Sequence, residues 1–283
     1  MTAAATLLLS GCGEVAQRGF LPEPVTEVGD DVVTFWTGTW VAALGVGVLV
    51  WALLLWAVFA YRRKSDDEVP TQFRYHVPFE ILYTVVPVLM VATMFGQSVK
   101  LQNAMLEIRD DPDVVVNVAG KKWSWDFNYL NEDVHVSGIQ ANTLNEGTGG
   151  VPETLPTMVL PVDSRVEFVL TSRDVIHSFW VPSFLQKLDM VPGRVNTFQV
   201  TTTKEGTFQG KCAELCGTYH SEMLFQVKVV PQAEYDAFIE DLRATGNEGI
   251  LGTELDKYEL QPDQRDKFVD PNEARLPADA ENN

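Results

Sequence analysis

The sequence predicts a membrane-anchored all-β protein, a two-helix transmembrane hairpin followed by a β-sandwich or barrel. Three observations carry this expectation. Val32 to Tyr61 contains no charged residue, and about 20 apolar residues suffice to cross a bilayer. A second uncharged run, Ile81 to Val99, lies between Glu80 and Lys100. From Asp113 onward apolar residues recur at every second position, which is the strand period.

In chain order, residues 1–12 are small and apolar and end in Leu9-Ser10-Gly11-Cys12. This resembles the lipobox of bacterial lipoproteins and makes Cys12 the expected lipidation site. A signal peptide opens with basic residues, yet none precedes Arg18, so a misassigned start and an inert thiol stay open. Residues 13–31, with Pro22 and Pro24, read as an extracytoplasmic linker. The hairpin occupies 32–100. Trp36, Trp40 and Tyr61 lie towards the ends of its first helix, as interfacial aromatics do. Arg62-Arg63-Lys64 and Arg74 make the loop 62–76 cytoplasmic, because basic residues near a span set its orientation and acidic ones count for little. Both chain ends then face outside. Pro87 is tolerable within a membrane helix.

The β region follows over 101–231. Val114, Val116 and Val118 alternate with Val115, Asn117 and Ala119; Trp123, Trp125, Phe127 and Tyr129 alternate with Ser124, Asp126 and Asn128. Further strand-like runs cover 134–139, 158–162, 165–170, 195–201, 207–210 and 223–230, separated by Gly, Pro, Asn and Asp turns. Residues 141–154 read as a flexible surface loop. After Pro231, Tyr235, Phe238, Ile239 and Leu242 recur at helical spacing. The remainder of 232–283 reads as an acidic tail, extended on partners or partly disordered.

The net charge of -18 argues against nucleic-acid binding, which needs basic surface. It permits a cationic protein partner steered by the field. Much of the excess sits in 232–283, with 14 acidic against 5 basic residues, so net charge is weak evidence for docking. Three cysteines do not make a disulfide framework, and no Cys-x-x-Cys-His motif for covalent haem is present.

The densest chemistry is Cys212-Ala-Glu-Leu-Cys216-Gly-Thr-Tyr-His220-Ser-Glu-Met223, with His177 upstream in His-Ser-Phe-Trp-Val-Pro. Thiolate and thioether favour copper, and imidazole suits copper or zinc. A Cys212–Cys216 disulfide is an open alternative outside the cytoplasm, as is a Cys2His2 zinc site. Met223 taken alone is more often core packing, but a Met after Cys and His is the donor order of soft-metal electron-transfer sites. Two thiolates exceed what one blue copper needs and suggest two coppers, each with its own histidine.

These motifs, with Asp189-Met-Val-Pro-Gly-Arg-Val-Asn196, closely resemble subunit II of haem–copper cytochrome c oxidases over about residues 30–231. The resemblance implies a cupredoxin-like Greek-key β-sandwich carrying a binuclear CuA centre. Cys212 and Cys216 would bridge two copper ions, His177 and His220 would be terminal ligands, and Met223 and the Glu214 carbonyl weak axial ones. The Glu214 side chain would help bind Mg or Mn shared with the catalytic subunit. Trp123 matches the electron-entry aromatic; an ordinary core aromatic is the alternative. Glu80 matches the acid at a proton-channel entrance; the alternative is a solvated carboxylate favoured by its helix N-terminus. Expected partners are subunit I, with haem a, haem a3 and CuB, subunit III, a c-type cytochrome donor and membrane lipid. Lys122 and Ser124 depart from the family pattern around Trp123 and point to a membrane-tethered donor. The lipobox, the 141–154 insertion and the acidic tail resemble actinobacterial members. His76 and His135 lack metal-like neighbours and read as surface or interface histidines.

Overall fold

The structure, a computed structural model, describes residues 13–65, 69, 71–141, 155–252 and 256–257. Cys12 and most of the 141–154 loop lie outside them. The chain divides into two units. The first comprises Met1–Leu21 and Asp31–Ala104, and the second Pro22–Asp30 and Met105–Asn283.

The first unit contains a short helix α1 (Glu14–Gln17) and most of two long ones, α2 (Gly29–Ala60) and α3 (Val77–Met105). Both long helices are apolar all round and none of their apolar windows is buried within the chain. Such helices need an apolar solvent or neighbours. At 32 and 29 residues, α2 overruns its uncharged stretch at the N-terminal end and α3 at both ends. A bilayer limits where charge can sit, whereas the helix itself continues while its backbone bonds are met. Glu80 folds back so that Oε1 accepts the His76 amide proton at 2.9 Å, capping its own helix.

The second unit is a sandwich of two five-stranded sheets. Its strands are β1 (Val114–Lys121), β2 (Ser124–Tyr129), β3 (Val134–Ser137), β4 (Thr157–Pro161), β5 (Arg165–Ser172), β6 (His177–Val181), β7 (Gln186–Met190), β8 (Asn196–Thr201), β9 (Gly206–Cys212) and β10 (Leu224–Val230). One sheet runs β3-β2-β1-β5-β8 and the other β4-β10-β9-β6-β7. The pairs β1–β5 and β4–β10 are parallel and the rest antiparallel. Trp125, Phe127, Tyr129, Phe168, Phe179, Phe198 and Phe225 are fully buried between the sheets, each removal from water contributing roughly 1.5–3 kcal/mol. Phe179 and Phe225 stack at 5.1 Å. Tyr129 Oη accepts the Val159 amide proton at 2.8 Å and donates to the Val159 carbonyl, so the largest buried phenol is satisfied. Helix α4 (Gln232–Ala244) buries Tyr235, Ile239 and Leu242 and leans on β3 and β4, the face its spacing predicts.

Four expectations are corrected. Residues 13–31 are not simply a linker: α1 is helical, Thr26 bridges to Thr202, and Val25 is 1% exposed. Strands β6 and β7 do not stand out by alternation, because β6 buries both faces and β7 is a half-buried edge. Trp123 is not part of β2: it precedes the strand and packs, half-buried, against the core cluster. The tail's first part is not simply an extended tail, since residues 247–252 and 256–257 return to the chain's own β3-β2-β1-β5 sheet.

Candidate metal centre

Loop 213–222 joins the antiparallel neighbours β9 and β10. Cys212 ends β9, Met223 immediately precedes β10, and the Cys212 amide donates to the Met223 carbonyl at 3.0 Å. The loop is thus closed at its base by a ladder bond. His177 opens β6, which pairs with β9 through Phe179 and Cys212. Ordinary sheet pairing therefore brings ligands 35 residues apart in sequence to one end of the sandwich. Gly217, with φ +128, takes a backbone conformation that side chains disfavour.

The sulfur of Cys212 lies 3.8 Å from His177 Nδ1 and 3.2 Å from the Glu214 carbonyl oxygen. The sulfur of Cys216 lies 3.5 Å from His220 Nδ1 and 3.7 Å from Met223 Sδ. The two sulfurs are 3.9 Å apart. A disulfide would need about 2.0 Å, and both thiols are free. Among the described residues, His177, Cys212 and Cys216 are the group whose donor atoms all fall within 4.8 Å of one another. His220 approaches Cys216 and stands outside that group. A single tetrahedral zinc requires four mutually close donors, so the set does not close around one point. Its soft donors fit copper, and each sulfur has one imidazole beside it.

His177, Cys212, Cys216 and Met223 are buried, His220 is half-buried and Glu214 exposed. Asp174 is a neighbour of the cluster that motif reading missed. Its Oδ1 accepts a hydrogen bond from His177 Nε2 at 2.8 Å, which leaves Nδ1 free to face the sulfurs. A carboxylate behind a ligand histidine is the usual outer support of a metal site, and its place three residues before His177 is the signal that could have found it. Gly120 packs under His177, where an added Cβ would sit 3.0 Å from the ring. Trp125 Nε1 donates to the Met223 carbonyl.

Electrostatics follow from this packing in the metal-free chain. Burial works to raise Asp174, but the His177 contact and the Lys122 and Val175 amides hold its carboxyl below the ordinary value. Burial likewise works against charged His177, and Asp174 and Cys212 outweigh it, so the imidazole is raised. The Cys212 thiol is lowered against its burial by His177 and backbone contacts. The Cys216 thiol is pushed up to about 12 by burial and by the neighbouring Cys212 charge.

Trp123 is half-buried at the rim of the loop, edge-on to Tyr219 with ring centres 4.8 Å apart, and close to Gly217. Glu80 lies on α3 in the first unit, capping its own helix. His76 is exposed beside Phe79, and His135 Nδ1 faces the Gly249 carbonyl, so neither joins the centre.

The probable cytochrome c oxidase subunit 2 of Streptomyces avermitilis is 46% identical over 259 residues, covering 82% of this chain and 81% of that protein. The chain belongs to the cytochrome c oxidase subunit II family. The family model for the subunit II periplasmic domain matches residues 114–230. Cytochrome c oxidase subunit 2 of Mycobacterium tuberculosis is 34% identical over 288 residues, covering 85% and 79%. Among solved structures, the periplasmic domain of subunit II of cytochrome oxidase from Bradyrhizobium japonicum is 30% identical, covering 49% of this chain and 99% of that one, with a TM-score of 0.44. Two apolar helices followed by a two-sheet β-sandwich, within the subunit II family, is the architecture expected from sequence.

Proposed function

We propose that this chain is the electron-entry subunit of a proton-pumping aa3-type cytochrome c oxidase, a multi-pass protein of a bacterial cell membrane with both termini extracytoplasmic. The observation that carries the reading is the pairing of each sulfur with one imidazole, Cys212 with His177 and Cys216 with His220. Two copper ions bound there would accept and pass on single electrons. Cys212, Cys216, His177 and His220 would hold them, with Met223 and the Glu214 carbonyl as weaker donors. Asp174 holds the His177 tautomer. The ladder bond at the loop base and the buried aromatics behind it restrict movement of the donors, which suits repeated one-electron change.

Trp123, packed against Tyr219, is the entry point for electrons from a c-type cytochrome, and exposed Ile176, Leu215 and Tyr219 give that donor an apolar landing surface. Lys122 beside it favours a donor tethered to the membrane. The Glu214 side chain, which is exposed, would share Mg or Mn with subunit I, which carries haem a, haem a3 and CuB and reduces oxygen; subunit III completes the assembly. Glu80 serves a proton-channel entrance and Cys12 carries the lipid.

Full-length protein in detergent, loaded with copper under reducing conditions and then partly oxidised, tests the centre. The expected result is two coppers per chain and one unpaired electron shared between them. One copper, preferential zinc, or a Cys212–Cys216 disulfide that survives reductant overturns it.

A further inference from the structure

A buried charged cluster lies under the segment that comes after α4. Arg173 is 6% and Asp126 1% exposed, although both stem from a sheet face that would otherwise meet water. Arg173 Nε donates to Asp126 Oδ2 at 3.1 Å, and its Nη1 donates to the Gly252 carbonyl at 3.0 Å and to Asp256 at 3.1 Å. The Lys257 amide donates to the Arg173 carbonyl at 2.8 Å. Further along the same segment, Leu251 exchanges hydrogen bonds with the buried Asn128 side chain, and Glu248 bridges to Val134. Asp256 therefore supplies the second carboxylate of a cluster whose cations are Arg173 and Lys121, the latter 2.6 Å from Asp126.

The residue after Arg173 is Asp174. Its Oδ1 holds His177 Nε2, and its Oδ2 accepts the Lys122 amide proton at 2.8 Å, next to Trp123. The Arg173 amide donates to the Gly120 carbonyl, and Gly120 is the residue against which the His177 ring lies. One two-residue turn is thus fixed on its outer side by the C-terminal segment and on its inner side by a metal ligand. His220, beside Cys216, has no described contact with this cluster.

We propose that residues 247–252 together with Asp256 and Lys257 form a positioning strap that sets the orientation of His177 through Arg173 and Asp174, leaving His220 untouched. The consequence is an asymmetric centre, with one imidazole held by the chain's C-terminal segment. This rests on the copper reading above. Asp256→Asn keeps the size of the side chain and removes its charge. Truncation after Gly252 removes Asp256 and Lys257, and truncation after Lys257 keeps the strap while removing only residues 258–283.

The test is the nitrogen hyperfine coupling of each ligand histidine in copper-loaded, full-length protein carrying nitrogen-15 histidine. Gly120→Ala, which presses directly on His177, identifies that residue's resonance. Asp256→Asn and the truncation after Gly252 are expected to shift the His177 coupling and the reduction potential with two coppers still bound. The His220 coupling stays in place, and truncation after Lys257 changes nothing. If the shorter chain does not fold, Asp256→Asn decides alone. Variants that unfold at lower temperature with both couplings unmoved would make the strap a brace only and overturn the proposal. A wild-type chain without the shared-electron signal overturns the copper reading itself, before any variant is made.

Discussion

Cys216 is the residue at which metal loading meets acid–base chemistry. Its thiol, pushed up to about 12 by burial and by the charge on Cys212, holds its proton at neutral pH in the metal-free chain, and a ligand thiol must release it. Because the proton competes with the metal, the sign is unambiguous: loading weakens as pH falls. Apparent copper affinity measured against a competing chelator is expected to drop by about tenfold per pH unit for each proton released, between about pH 8 and 6. Affinity independent of pH over that interval would mean that Cys216 is already ionised. The soft donors that gather at this loop were readable residue by residue, because donor chemistry is written in side-chain identity. Asp174 was not, since a carboxylate three positions from a histidine supports it only if a strand start turns both the same way.

Strands β9 and β10 show how close packing supports the loop between them. Gly210 stands directly opposite Phe225 in the register, and a Cβ there would fall 2.1 Å from the Phe225 ring. That ring in turn touches Trp125, Phe127 and Phe179, so it has nowhere to retreat. Overpacking of this kind costs typically about 1–3 kcal/mol, and Gly210→Ala is expected to lower the thermal unfolding midpoint of the metal-free chain. An unchanged midpoint would show that the ring layer yields easily. Most strands were legible because one face is apolar and the other polar. In β2 that same alternation misleads about exposure: Ser124, Asp126 and Asn128 look like a solvated face and are all buried. Part of their cover comes from Leu251, 123 positions beyond Asn128, and no local pattern encodes it. Strands β6 and β7 failed for a related reason, one being buried on both sides and the other lying at an edge.

At the scale of the whole molecule, the boundary drawn at residue 100 falls inside α3, which runs to Met105, and it misses a second crossing. Pro22–Asp30 precedes most of the first long helix in sequence and belongs to the β unit. The Val25 amide donates to the Ser183 carbonyl, and the Val25 carbonyl accepts from Thr203, so the segment is bonded on both sides. A chain begun at Met105 would leave that channel empty and lose the burial of Val25, worth roughly 1.5–3 kcal/mol. Such a fragment is expected to melt earlier than one in which residues 22–30 are fused ahead of Met105, and to recover when a peptide of that segment is added in trans. Equal melting with and without the peptide would refute this. The β body is therefore assembled from two separate stretches of polypeptide, and cutting it out of the membrane protein is a problem of fragment complementation rather than of choosing one cleavage point.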